Sequence, residues 1–317
     1  PSGYLTISSS LDIYTNANVK VNTSIQIPSS SIQQNSISVP INISSSVYQY
    51  SSKDAGYTSA YGFDGSIAAS TLSDIYFSPD GRKLFILDAQ STEYLYSFEL
   101  KTPWDVRTQQ YLNSYNIPSS GGPESYAVGL TFHPDGTHFW LVGAQIDGPS
   151  EYSLSIPWDL STVTYVKEID LDNIANRVTT ESTPYGIDWK PDGTKLYVVG
   201  TSTDAVLQYA VTGSAFDIHS LTFEHQLDVP VQETSVKSIR FKQDGSQMFV
   251  LGQSQKEIIQ YNLSKNWDIS TARFVNNFSV SAEETGPAGM FFKPDNSGFY
   301  VVGITGEVID EYTLGDS

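Results

Sequence analysis

Cysteine is absent from the 317 residues, basic residues are scarce and no long apolar run occurs. Without cysteine there is no disulfide framework, no thiolate nucleophile and no zinc-ribbon or iron–sulfur site, so packing alone must hold the fold. Four histidines remain for imidazole chemistry, His133, His138, His219 and His225, and no His-Glu-x-x-His pair is present. Lys and Arg number 17 against 35 acidic residues, a net charge of −18. No local Lys/Arg cluster offsets it, and such a charge repels phosphate backbones, which argues against nucleic acid and anionic membranes as partners. The longest apolar runs, such as Phe139–Gly143 and Phe299–Gly303, fall far short of the roughly 18 residues of a membrane span, so no membrane insertion is expected. Neither an initiator Met nor a basic-plus-apolar leader stands at Pro1, which reads as a trimmed or mature chain. Charged residues are only 16%, whereas Ser, Thr, Asn, Gln and Tyr abound, a balance more common in secreted or virion-exposed β proteins than in cytosolic enzymes.

What is present is a repeat. Phe77-Ser-Pro-Asp-Gly81, Phe132-His-Pro-Asp-Gly136, Trp189-Lys-Pro-Asp-Gly193, Phe241-Lys-Gln-Asp-Gly245 and Phe292-Lys-Pro-Asp-Asn296 recur with spacings of 55, 57, 52 and 51 residues between the turn aspartates Asp80, Asp135, Asp192, Asp244 and Asp295. An aromatic precedes each of these by three residues. About 23 or 24 residues after it comes a second signature, centred on Trp104, Trp158, Phe216 and Trp267 and followed by Asp105, Asp159, Asp217 and Asp268. In Pro-Asp-Gly, Pro presets φ, Asp bonds forward to the backbone and Gly accepts positive φ, so the motif joins two strands by a tight turn. The Trp-Asp step is expected to turn the chain between the third and fourth strands, with the Trp packing between neighbouring units. Period-2 patterning in the second unit predicts strands over Gly129–His133, Thr137–Gly143, Glu151–Ser155 and Thr162–Leu171.

Four short strands repeated every 50-odd residues predict an all-β chain built as a five-bladed β-propeller over residues 56–317. The last copy ends after its third strand, at Tyr312-Thr-Leu314, and residues 56–65 have the position and the Tyr/Phe content to complete it, closing the ring without an exposed edge. Residues 1–55 lack the turn motif but alternate at Tyr4–Ser8, Val19–Ile27 and Ile37–Ile43. They read as an N-terminal β-rich appendage or assembly segment that pairs with another copy, as a sixth, degenerate blade, or as a tail.

The stretches Pro191–Gly200, Gln260–Thr271 and Glu283–Asp295 resemble propeller repeats in structural proteins of marine tailed phages, notably cyanophages, and in some bacterial secreted proteins. The resemblance covers about residues 56–317. It implies a virion or extracellular propeller used for structure or recognition, and it supplies no catalytic residues to carry over.

Glu124, Glu181, Glu233 and Glu284 each lie 11 residues before the turn Asp of their unit, where the first unit has Ala69. Either these carboxylates gather at the channel mouth, to bind a cation or the donors of a sugar or amine, or each accepts hydrogen bonds from its own Ser/Thr/Gly-rich loop. The innermost strands offer Tyr76, Thr131, Asp188, Arg240 and Phe291 four residues before each turn Asp. Asp188 and Arg240 are expected to form an inter-blade ion pair rather than a catalytic dyad, since glycoside hydrolysis needs two carboxylates about 5–9.5 Å apart. No Gly-x-Ser-x-Gly elbow, phosphate loop or EF-hand spacing occurs, and no catalytic residue, metal or cofactor is expected. Asn22, Asn42, Asn262 and Asn277 sit in sequons, and Tyr57, Tyr61, Tyr126 and Tyr185 in loops could stack on sugars or a partner.

The expectation is therefore a non-enzymatic structural or adhesive component of a phage virion, such as a tail fibre, or of another extracellular assembly. Its partners would be neighbouring subunits, itself through residues 1–55, or a host-surface glycan or receptor. A secreted lectin-like module and a polysaccharide-acting propeller enzyme are the alternatives.

Overall fold

The computed structural model describes residues 55–63, 67, 71–89, 93–117, 126–174, 181–229 and 233–314. Of the expected N-terminal appendage, residues 1–55, all but Ala55 lies outside them, and Ala55 begins the first propeller strand. The described chain forms five four-stranded antiparallel sheets. The first is β2 (Leu72–Phe77), β3 (Lys83–Asp88), β4 (Tyr94–Leu100) and β5 (Gln109–Asn116). The second is β6 (Ala127–Phe132), β7 (His138–Gly143), β8 (Gly148–Leu154) and β9 (Val163–Glu168), each strand within a few residues of its sequence expectation. The third is β10 (Pro184–Trp189), β11 (Lys195–Gly200), β12 (Ala205–Val211) and β13 (Leu221–Asp228), and the fourth β14 (Val236–Phe241), β15 (Gln247–Gly252), β16 (Glu257–Leu263) and β17 (Ala272–Ser279). The fifth holds β18 (Pro287–Phe292), β19 (Gly298–Gly303) and β20 (Val308–Leu314), and β1 (Ala55–Gly62) pairs antiparallel with β20 as its outer strand. The clasp is thus strand pairing between the two ends of the ring, from Ala55 opposite Leu314 to Gly62 opposite Val308.

Burial explains why the sheets stand radially. Each of five apolar clusters joins the face of one blade to that of the next, and the ring closes where Tyr300, Val302 and Ile309 of the fifth blade pack with Leu72, Ile75 and Ile86 of the first. Five inner strands around one axis crowd each other. A Cβ on Gly129 would stand 2.1 Å from the Tyr185 carbonyl oxygen, and one on Gly289 2.5 Å from the Asp74 Cα. Only glycine permits such an approach.

The two repeat signatures form one lock. Gly136 has φ +75°, and Trp158, at φ 64°, lays its ring across it so that a Cβ would meet the indole at 2.2 Å. Trp104, Phe216 and Trp267 do the same over Gly81, Gly193 and Gly245. Each ring also reaches the preceding blade: Trp104 stacks on Phe291, Trp158 approaches Phe85, Phe216 stacks on Trp140 and Trp267 approaches Tyr197. The aspartates that follow, Asp105, Asp159, Asp217 and Asp268, each cap a single 3₁₀ turn by accepting from the backbone N–H two residues on. The fifth blade takes its outer strand from the other end of the chain and has no such Trp, and there Asn296 replaces the glycine at φ 59°.

Candidate functional site

All five inner strands run toward the Pro-Asp-Gly turns, so equivalent residues form rings about the axis. Three rings converge at that end: Tyr76, Thr131, Asp188, Arg240 and Phe291 as the floor, Phe77, Phe132, Trp189, Phe241 and Phe292 as the wall, and Pro79, Pro134, Pro191, Gln243 and Pro294 as the rim. They enclose a cavity of ≈ 260 Å³, a size suited to a small ligand.

Below the floor the axis is plugged by charge. The Arg240 guanidinium donates from Nη2 to both carboxylate oxygens of Asp74 at 3.0 Å. It also donates to the carbonyls of Ile75, Leu130, Ile187 and Ile239, one from each of the first four inner strands. Asp74 in turn accepts from the backbone N–H of Leu130 at 2.8 Å. The expected Asp188–Arg240 ion pair is corrected here: the inter-blade pair is Asp74–Arg240. Asp74 can take this place because the residues six before the turn Asp in the other units are Gly129, Gly186, Ser238 and Gly289, which leave the axis open. A charged residue in that small-residue column was the available sequence signal.

Asp188 is left facing the cavity. Its oxygens accept from the backbone N–H of Trp189 at 3.1 Å and of Phe241 at 3.1 Å. Burial pushes its carboxyl up to about 6, against the pull of the Arg240 guanidinium and of these two amides. The Tyr76 and Thr131 side chains share the floor with it, and the Tyr76 hydroxyl points to the Phe132 carbonyl at 3.4 Å.

The other sequence candidates lie elsewhere. Glu124 is outside the described residues. Glu181, Glu233 and Glu284 are buried at the opposite end of the inner strands, where each ties its own entry loop to the next turn of its own blade. Glu181 accepts from the N–H groups of Thr183, Ser202 and Thr203, Glu233 from those of Ser235, Ser254 and Gln255, and Glu284 from those of Gly286 and Gly306. The channel-mouth binding ring is therefore corrected to three loop clamps, because backbone donors of the same blade surround each carboxylate. Asp80, Asp135, Asp192, Asp244 and Asp295 hold their turns as expected, each accepting from the N–H two residues on. Tyr57 and Tyr61 lie on the clasp strand β1, and Tyr185 lies under the Lys237 ammonium, 3.2 Å from its ring centroid. None of the three lines the cavity. Among the described residues, no group of three or more His, Asp or Glu side chains is placed to hold a metal ion.

No protein-family model matches the chain, and no curated protein matches it. Solved structures do. A functionally unknown protein from Desulfotomaculum acetoxidans is 14% identical with a TM-score of 0.44, over 75% of this chain and 64% of that one, so the chain spans less than two thirds of its length. A candidate 6-phosphogluconolactonase from Bacteroides uniformis is 15% identical with a TM-score of 0.46, over 79% and 70% of the two chains. The periplasmic gluconolactonase of Pseudomonas aeruginosa is 17% identical with a TM-score of 0.45, over 78% and 72%. The expectation of a non-enzymatic virion or adhesive component is corrected at this point. Two of these three structures carry lactonase names, and none of the three names is that of a virion protein. At these identities the likeness itself speaks to the fold.

Proposed function

We propose that the propeller is a sugar-directed hydrolase that opens a lactone or related ester of a sugar acid in the cavity at the Pro-Asp-Gly end, with Asp188 as general base. The observation that carries this reading is the placement of Asp188, the one carboxylate among the described residues that line an aromatic cavity, where burial pushes it up to about 6. A carboxylate with that affinity for protons is ionised at neutral pH yet basic enough to take one from water. As the water oxygen attacks the carbonyl carbon, Asp188 accepts its proton. The ring C–O bond then breaks, the proton passes to the departing alkoxide, and the open hydroxy acid results. One carboxyl suffices because the carbonyl is already an electrophile. A glycosidic bond would need a second carboxyl, and Asp74 is committed to Arg240 beneath the floor.

The walls favour a sugar: aromatic and proline faces cover its C–H surfaces while the floor meets its oxygens. The abundance of hydroxyl and amide side chains and the low charge content support a secreted or periplasmic setting. The test is hydrolysis of D-glucono-δ-lactone against pH. The expected profile of kcat/KM rises through about 6, and Asp188→Asn lowers it by about 10²–10⁴-fold while the sugar acid still binds. Hydrolysis indifferent to Asp188→Asn would refute the role. Saturable sugar binding without turnover would reduce the protein to a carbohydrate-binding module.

A further inference from the structure

On the proposed reading of the cavity as a sugar site, we infer that Gln243 and Asn296 select its ligand by reading the hydroxyls of a neutral polyol. Both depart from the repeat. Four of the five turns place proline at the rim, and the fourth blade places Gln243 there; four place glycine two residues later, and the fifth blade places Asn296. Both departures fall on adjacent blades, and both side chains line the cavity. The rim is therefore lopsided: blades one to three offer only proline and glycine there, while blade four carries Gln243 and blade five Asn296 beside Pro294. A carboxamide carries a donor and an acceptor, so two of them match adjacent hydroxyls, each of which is itself donor and acceptor.

The charges nearby argue for a neutral ligand. The rim ammonium groups of Lys242 and Lys293 are held by Asp244 at 3.5 Å and Glu311 at 2.8 Å. Asp188 stands on the floor, and the chain carries −18. A phosphate or second carboxylate on the ligand meets cations that are already neutralised and a net repulsive field. Gln243 is exposed and Asn296 half-buried, so a deoxy analogue returns their carboxamides to water and forfeits only the net worth of the lost hydrogen bonds.

The decisive variants are Gln243→Pro and Asn296→Gly, each installing what the other blades carry at that place, with Gln243→Leu as a side-chain control that leaves the backbone alone. Hydrolysis is measured with D-glucono-δ-lactone, and calorimetric binding with the non-hydrolysable 1,5-anhydro-D-glucitol, its deoxy analogue and its 6-phosphate. Wild type is expected to prefer the hydroxylated over the deoxy ligand by about three- to tenfold, and the variants to bring that ratio near unity. Unfolding midpoints should stay close to wild type, and the phosphorylated ligand should bind no tighter than the neutral one. Undiminished discrimination in Gln243→Pro and Asn296→Gly, no discrimination in wild type, or tighter binding of the phosphorylated ligand would overturn the inference. The binding measurement does not pass through Asp188. Loss of the hydrolase reading alone would leave binding selective and dependent on Gln243, whereas failure here alone would leave hydrolysis dependent on Asp188 with no hydroxyl selectivity.

Discussion

Replacing Arg240 with Met tests how the ring is held at its axis. The change removes the guanidinium from Asp74 and from four backbone carbonyls contributed by four inner strands, while the unbranched side chain keeps much of the volume. Asp74 is then a buried carboxylate without its counter-ion, a loss worth about 3–5 kcal/mol in comparable buried pairs. The double variant Asp74→Ser with Arg240→Met removes the stranded charge as well and should regain about 2 kcal/mol or more of that loss. The single variant also deepens a pH dependence, because burial already raises the Asp74 carboxyl and Arg240 is what opposes that rise. A carboxyl whose folded-state pKa lies above its unfolded value binds more protons folded than unfolded. Stability therefore falls as pH rises from the ordinary carboxylate range through the raised pKa, and the Arg240→Met deficit should be larger at pH 8 than at pH 5. Urea unfolding followed by fluorescence of the five tryptophans reads all three proteins. Equal losses in the single and double variants, or a deficit independent of pH, would show that the pair does not hold the axis in this way.

Further outcomes follow from the same architecture. Asp310, on β20 where the other blades have Tyr96, Ser150, Leu207 and Ile259, is buried with its Oδ2 unpartnered. Burial first, and then Glu284 and Glu283, push it up to about 6. Stability should fall as pH rises from about 4 to about 6 and stay lower above it, and Asp310→Asn should reduce that fall and add about 1–2 kcal/mol at pH 7 in urea titrations, allowing for solvent screening. Gly136→Ala forces a Cβ into the Trp158 ring and an alanine to φ +75°, and should lower stability by about 2–4 kcal/mol in the same assay. Glu181→Ala strips the buried acceptor from Thr183, Ser202 and Thr203 and should destabilise by about 2–4 kcal/mol with sugar affinity unchanged in calorimetry, because the clamp lies at the other end of the inner strands.

The blades were legible because local chemistry repeats: the Pro-Asp-Gly turn and the Trp-Asp step are each dictated by backbone geometry, and their spacing fixes the unit. The clasp could be read from a missing fourth strand. Side-chain direction was harder. Recurring glutamates suggested a ring about the axis, but recurrence cannot say whether a side chain points inward or back onto its own blade. The answer lay in a second column, Ser202, Ser254 and Thr305, each 21 residues after its Glu, where the next turn supplies donors. The partner of Arg240 does not show among the residues four before each turn Asp, because Asp74 stands two residues earlier. The cavity itself is a property of convergence. Its prolines and aromatics are unremarkable one by one, and only five-fold packing places them around Asp188.

A crystal structure with 1,5-anhydro-D-glucitol, a neutral and non-hydrolysable analogue of the lactone, bound addresses the central claim most directly. The account requires the ligand in the funnel at the Pro-Asp-Gly end, the ring atom that stands for the lactone carbonyl carbon facing Asp188 and its hydroxyls against Gln243 and Asn296. A ligand seated at the opposite end of the inner strands, near Glu181 and Glu284, with the funnel empty, would contradict it.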